Sequence, residues 1–277
     1  MLTVTALHTY PVKSCGVLAH ESIALNERGL VYDRQWMIVA DEGKPVSAFI
    51  SQRDYPTLAR IQPRLSREQL TLSAPKMGEI GVPLPVTGGE RRIRVVVWND
   101  VCEAFDEGVL VSEWLSAFLG ARVRLVRMAD DFTRLTSDKY TDQPAPVSFA
   151  DGYPLLLTTQ ASLDDLNRRI EAKGKPPVEM TRFRPNVVVG GEMPAFAEDH
   201  WRKVTLGSVP FDVVKPCARC SITTVRQEDG TIPDVKEPTA TLASYRRTED
   251  GKVLFGQNVI HRALGTLRVG DPVTVVL

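Results

Sequence analysis

Short apolar runs, broken at close intervals by proline and glycine, do most to narrow the folds open to this chain. A run of roughly four to eight apolar or β-branched residues between turn residues suits a strand, and many in succession suit a barrel or sandwich. Residues 4–11 alternate loosely between apolar and polar positions. Residues 29–40 form a β-rich run closed by the turn Asp41-Glu42-Gly43-Lys44. Residues 58–62, 70–73 and 93–98 read as further short strands. In the second half, residues 186–189 are an apolar run ended by Gly190-Gly191, and residues 204–206 and 209–214 predict a hairpin about Gly207-Ser208. Residues 266–269 and 273–276 flank the turn Gly270-Asp271-Pro272. Two segments carry helical periodicity instead. Residues 109–119 set Leu110, Trp114, Leu115 and Phe118 on one face, with Gly120 as C-cap. Residues 162–172 read with Ser162 as N-cap, Asp165 at N3 and an apolar stripe of Leu163, Leu166 and Ile170. The fold class is mainly β with a few helices (α+β).

Composition removes several function classes. Lysine plus arginine equals aspartate plus glutamate at 34 each in 277 residues, so no uniformly basic surface for nucleic acid is expected. A local basic pocket is compatible with the same count. No apolar run approaches the ~18–20 residues of a membrane span. The start, Met1-Leu2-Thr3-Val4-Thr5-Ala6-Leu7-His8, lacks a cationic region ahead of a continuous apolar stretch and reads as a strand, so a cytoplasmic location is expected. Four cysteines, Cys15, Cys102, Cys217 and Cys220, are too few for a disulfide scaffold. Residues 130–148 are polar and hold Pro144 and Pro146, which suits either the edge of an active site or a mobile linker.

Three local motifs have chemical content. Lys215-Pro216-Cys217-Ala218-Arg219-Cys220 is a Cys-x-x-Cys at the end of a strand. Structural zinc needs four ligands, and here a second cysteine pair is missing while His8, His20, His200 and His261 show no ligand spacing. A thioredoxin-like pair would open a helix, but Ser221-Ile222-Thr223-Thr224-Val225 reads as β. Two buried cysteines acting as small apolar residues stay open as a reading. Arg219 between them argues for a site with positive potential, which favours a thiolate. Thr181-Arg182-Phe183-Arg184-Pro185-Asn186 puts two guanidinium forks before a strand. Such forks suit phosphate and heterocycle edges, or acidic neighbours on a surface loop. Tyr10-Pro11-Val12-Lys13-Ser14-Cys15-Gly16 places a lysine and a serine in a turn without the spacing of a P-loop.

Taken in order along the chain, the motifs form one pattern. Pro11-Val12-Lys13-Ser14, Gly29-Leu30 with Asp33-Arg34, Ser148-Phe149-Ala150-Asp151-Gly152-Tyr153-Pro154, Phe183-Arg184-Pro185-Asn186, Asp199-His200-Trp201, the cysteine motif, Phe255-Gly256-Gln257-Asn258 and Val269-Gly270-Asp271 follow one another. This resembles the amidoxime-reducing branch of the MOSC family (the molybdenum-cofactor sulfurase C-terminal domain), with its mitochondrial and bacterial YcbX-type members. The resemblance covers essentially the whole chain. It implies an N-terminal MOSC-type β-barrel domain over residues 1–120 and a MOSC β-barrel domain over residues 121–277, with the molybdenum cofactor between them. It further implies that Cys220 ligates molybdenum as a soft sulfur donor beside the pterin dithiolene, with Cys217 a neighbour. Lys13, Ser14 and Arg34 match cofactor-holding positions of the N-terminal domain. Arg184 and Asn186 match those of the MOSC domain, and Asp151, Ala218, Arg219 and Asn258 complete the match. Ala218 and Asn258 depart from the serine and tyrosine of mitochondrial members; a backbone group can serve at Ala218 and at Ala150.

The implied activity is reduction of small N-hydroxylated compounds (amidoximes, hydroxylamines, N-hydroxylated base analogues) by removal of oxygen at molybdenum. The chain runs to Leu277 without the clustered cysteines of a ferredoxin-type domain, so no iron–sulfur cluster is expected in it. Electrons are then expected from an external ferredoxin- or flavin-reductase-type protein. Pyridoxal phosphate is not expected, because the sulfur-mobilising domain of the sulfurase has no counterpart here. The alternative is a cofactor carrier or sulfur-handling MOSC protein without reductase activity.

Overall fold

The computed structural model describes residues 1–85 and 91–277, whose strands form an eight-stranded sheet, a five-stranded sheet and two three-stranded sheets. The largest runs in the order Val273–Val276, Lys203–Leu206, Val209–Arg219, Val253–His261, Leu155–Thr159, Val187–Gly190, Thr3–Thr9 and Leu18–His20. Its neighbours are antiparallel except Leu155–Thr159 and Val187–Gly190, which run parallel. A parallel pair needs a crossover, and helix Gln160–Glu171 lies in the connection between these two strands. Both strands are buried at every position, as layers covered on two faces must be. Leu7, Leu157, Val187, Leu206, Phe211 and Val259 share the core this sheet encloses.

The five-stranded sheet runs Trp36–Ala40, Val123–Met128, Asp100–Asp106, Arg92–Val97 and Val46–Ala48. Successive residues of its strands enter different cores. Trp36, Ile38 and Leu125 pack on one side, and Met37, Val39 and Val126 on the other. The period-two alternation of a strand thus feeds two interiors, which is why Trp36–Ala40 reads as continuously apolar in sequence. Sheet membership does not divide the chain at one point. Thr3–Thr9 pairs with strands of the second half, while Val123–Met128 closes the five-stranded sheet.

Helix Val109–Leu119 and its left-handed cap at Gly120 form as expected. Its buried positions, however, are Val111 and Leu115, while Leu110 is 71% exposed. The second helix starts earlier than its sequence implies. Thr159, the last residue of a strand, caps it by accepting from the Ser162 amide at 3.3 Å. Ser162 sits inside the first turn with its hydroxyl bonded to the buried Glu198 at 2.7 Å. The β-rich run 29–40 is two strands, Gly29–Leu30 and Trp36–Ala40, joined by a turn in which Tyr32 and Arg34 have φ of 64° and 47°. The chain must turn there because the first strand pairs with Ser22–Asn26 and the second with Val123–Met128. Residues 58–62 contain the end of a 3₁₀ turn, Pro56–Arg60, whose first position carries the proline that favours it. Ser221–Thr224 is likewise a 3₁₀ turn and not a strand. Thr266–Arg268 and Val273–Val276 join different partners, Ser22–Asn26 and Lys203–Leu206, and so do not form a hairpin. Among the described residues no helix is long and apolar enough to cross a membrane.

Candidate active site

The strand that carries the cysteine motif is bent twice. Its register against Val253–His261 shifts between Val213 and Lys215 and again between Pro216 and Ala218. Such irregularities re-aim side chains, and Pro216 cannot donate to the ladder at the second one. The strand ends at Arg219, and Cys220 follows in extended conformation with an exposed thiol. Thr223 Oγ1 donates to the Cys220 carbonyl at 3.0 Å and pins the turn behind it. Arg219 reaches two ways: Nη1 donates to Cys217 Sγ at 3.0 Å and Nη2 to the Phe183 carbonyl at 2.7 Å. Ala218 keeps its pairing with Leu254, and Asn258 Nδ2 donates to the Lys215 carbonyl at 3.3 Å.

Across from this strand stand the residues that leave Thr3–Thr9. Lys13 is buried, and its Nζ donates to the Phe149 carbonyl at 2.8 Å and to Asp151 Oδ1 at 2.5 Å. Burial pushes the Lys13 ammonium pKa down, and Asp151 opposes that shift. Neighbouring protein displaces some solvent from the Asp151 carboxyl and pushes it up, though its side chain stays 69% exposed, and the Lys13 ammonium and the Trp98 N–H more than reverse this and hold it well below the usual carboxylate range. Ser14 has φ 68°, and its carbonyl accepts from Gln52 Nε2 at 2.8 Å.

The third group is built around Tyr10, which is fully buried, its phenol pushed up to about 12 by burial. The guanidinium carbons of Arg34 and Arg184 lie 4.3 Å and 4.1 Å from its ring centroid. Arg34 Nη1 donates to Asp33 at 2.6 Å and to Asn186 Oδ1 at 3.0 Å, and its Nη2 to the Arg184 carbonyl at 3.0 Å. Asn186 Oδ1 also accepts from the Leu156 amide, and its Nδ2 donates to the His8 carbonyl. Asn186 is therefore engaged at both ends and acts as an organiser of the site. Arg184 Nη1 donates to Gln227 Oε1 at 2.9 Å, and burial lowers the guanidinium pKa to about 10. Ser14, Arg34 and Arg184 all hold left-handed backbone, with φ of 68°, 47° and 55°. Strained non-glycine conformations of this kind persist where the surroundings over-determine them, and they concentrate at functional sites.

The structure brings all ten residues named from sequence (Lys13, Ser14, Arg34, Asp151, Arg184, Asn186, Ala218, Arg219, Cys220 and Asn258) onto the wall of one cleft. The enclosed part of the cleft is small, about 130 Å3, and the rest of it lies open to solvent. Among the described residues, five cationic side chains line it, Arg53 being the fifth, against the single carboxylate of Asp151. Buried polar groups ordinarily find partners, yet Arg184 Nη2 and Arg219 Nε are buried with none in the protein. Two unsatisfied cationic donors and an exposed thiol on one wall are the donor set for an anionic, hydrogen-bonding, thiophilic ligand. Among the described residues no group of three or more His, Cys, Asp or Glu is placed to hold a metal ion.

Sequence reasoning missed several residues. Gln52 and Gln227 exchange amide hydrogen bonds at 2.9 Å in both directions and thereby couple Ser14 to Arg184. Phe49, Arg53 and Trp98 line the mouth. No residue of the polar segment 130–148 lines the cleft, but Arg134 within it donates to the carbonyls of Ser148, Ala150 and Asp151 at 3.0, 2.6 and 3.0 Å. Arg134 thus braces the loop that carries Asp151, while the Tyr140 ring centroid of the same segment lies 4.5 Å from Lys215 Nζ beside the cysteine motif. Isolated glutamines and a single tryptophan carry no spacing signal, so nothing in the sequence marks them.

Two family models divide this architecture between them. The MOSC N-terminal beta barrel domain matches residues 1–122, and the MOSC domain matches residues 144–274. This chain belongs to the MOSC family. Mitochondrial amidoxime-reducing component 1 of Homo sapiens is 35% identical over 288 residues, spanning 98% of the chain and 82% of that protein. Its counterpart in Xenopus laevis is 33% identical over 288 residues, spanning 98% and 81%. The molybdenum cofactor sulfurase of Oryza sativa subsp. japonica is 32% identical over 261 residues, spanning 89% of the chain but 31% of that protein. In this MOSC chain the passage between the two matched domains holds strand Val123–Met128 and Arg134, and so contributes one element to the five-stranded sheet and one brace to the site.

Proposed function

We propose that this MOSC protein is a molybdenum-cofactor-dependent reductase of N-hydroxylated compounds, with the Cys220 thiolate as its metal ligand. The observation that carries the reading is the pairing of the exposed Cys220 thiol with buried, unpartnered donors on Arg184 and Arg219 in one cleft. Arg184, Arg219, Arg34 and Lys13 would hold the phosphate and pterin edges, since guanidinium forks and ammonium groups match those acceptors. Asn186 and Gln227 hold Arg34 and Arg184 in place by the bonds already described. Ser14, Asp151, Asn258 and the backbone at Ala218 complete the rim. When bound, the cofactor supplies the two-electron chemistry that removes oxygen from an N–O bond, and the protein supplies ligation, orientation and access. Electrons come from a separate electron-transfer protein. The similarity to relatives named for amidoxime reduction over 98% of the chain supports this class of substrate.

The test is molybdenum per chain by elemental mass spectrometry, on wild type and Cys220→Ala made in a cofactor-competent host. Near-stoichiometric metal in the wild type and loss of most of it in the variant is the expected result. Absence of molybdenum from both, with cofactor supply confirmed, overturns the reading. Metal that leaves the wild type on gel filtration as readily as it leaves the variant would favour a carrier.

A further inference from the structure

One wall of the cleft takes no part in the cofactor-holding set. Trp98 occupies the tip of the hairpin between Arg92–Val97 and Asp100–Asp106, where Val97 pairs with Asp100. Its φ is 57°, a left-handed conformation that a bulky side chain seldom adopts. Three contacts aim the indole. Nε1 donates to Asp151 Oδ1 at 3.1 Å, Phe49 packs against it at 5.2 Å and 71°, and the Arg53 guanidinium lies 4.8 Å from its centroid. Arg53 is itself tethered, its Nε donating to Ser51 Oγ at 3.2 Å. Even so, Trp98 is 46% exposed, whereas Trp36 of the same sheet is 0% exposed. A large apolar side chain kept half in water, on strained backbone and at a cleft mouth, has its natural partner in a ligand.

We propose that the Trp98–Arg53 wall is a stacking platform that makes the site prefer flat, conjugated N-hydroxylated substrates, such as aryl amidoximes and N-hydroxylated heterocycles, over small alkyl hydroxylamines. The inference rests on the reductase reading and adds a specificity-determining residue to it. Indole and guanidinium planes both favour offset stacking on an aromatic ring, and an alkyl hydroxylamine offers no such face. Because Asp151, Phe49 and Arg53 already hold the indole, little side-chain freedom is left to lose on binding.

The experiment is calorimetric titration of benzamidoxime into the purified full chain made with cofactor supply, for wild type, Trp98→Phe and Trp98→Asn. Asparagine tolerates left-handed backbone, so the turn survives the substitution. We expect Kd to rise about tenfold in Trp98→Asn and to stay within about threefold in Trp98→Phe. Steady-state turnover then gives the ratio of kcat/KM for benzamidoxime to that for N-methylhydroxylamine, and this ratio falls by about the same factor in Trp98→Asn. An unchanged Kd in Trp98→Asn, or equal losses for both substrates, overturns the platform and leaves the reductase reading standing. Trp98-dependent binding of benzamidoxime without turnover of either compound overturns the reductase reading and leaves the platform standing.

Discussion

Burial separates the four cysteines, and Cys217, which is half-buried, also accepts from the Arg219 guanidinium. Cys15 and Cys102 are fully buried, and burial pushes their thiols up to about 12 and about 11. Cys220 is exposed in the cleft. Reactivity follows the thiolate and its access, so iodoacetamide at pH 8 should alkylate Cys220 in the metal-free protein while Cys15 and Cys102 stay intact. Peptide mass spectrometry reads the sites, and modification of Cys15 alongside Cys220 would contradict this account. Loading with molybdenum should then protect Cys220. Asn186 shows the limit of residue-level reading. Its amide has the donor and acceptor that a heterocycle needs, yet the fold gives both to Arg34, Leu156 and His8.

Among elements, the polar segment 130–148 has a role its composition does not disclose. Arg134 is buried, pairs with Asp100 at 2.7 Å and supplies donors to three carbonyls of the loop that carries Asp151. Replacing it with alanine leaves those carbonyls without their donor, at a cost of roughly 2–4 kcal/mol. Arg134→Ala should therefore lower the urea midpoint well beyond the ~0.5 kcal/mol of an ordinary surface change. Arg134→Lys should recover little, since an ammonium cannot reproduce the fork. A midpoint equal to wild type in the alanine variant would show that the segment is a passive linker. The bent strand Val209–Arg219 makes the same point, because its two register shifts, the second at Pro216, decide where Cys217 and Cys220 stand.

For the molecule as a whole, acid sensitivity should originate in histidines enclosed by the barrels. Burial lowers the pKa of His8, His20 and His261, and the Nδ1 atoms of His8 and His261 are buried without partners. With folded values below the unfolded 6.5, the unfolded chain binds more protons in that window. Stability therefore rises with pH across the window and is lost as pH falls below about 6.5, before the carboxylates titrate. Urea unfolding at pH 7 and pH 5 should give a lower midpoint at pH 5. An equal or higher midpoint at pH 5 would mean that these imidazoles find solvent or partners in the native state.

Strand-forming runs, the helix Val109–Leu119 with its Gly120 cap and the hairpin about Gly207-Ser208 were legible in the sequence, because periodicity and turn residues act over a few neighbours. The ordered motifs also placed ten residues that the fold brings to one cleft, from Lys13 to Asn258. Beyond that local range, the tertiary structure decided. The turn within residues 31–35 exists because its two flanking strands serve different sheets, against the β-propensity of Val31 and Tyr32. The Gln52–Gln227 exchange spans 175 positions, the Arg34–Asn186 bond spans 152, and the Trp98–Asp151 bond spans 53. Residue types state which bonds a side chain can make, but only packing of distant strands sets which of them are made and which donors remain free for a ligand.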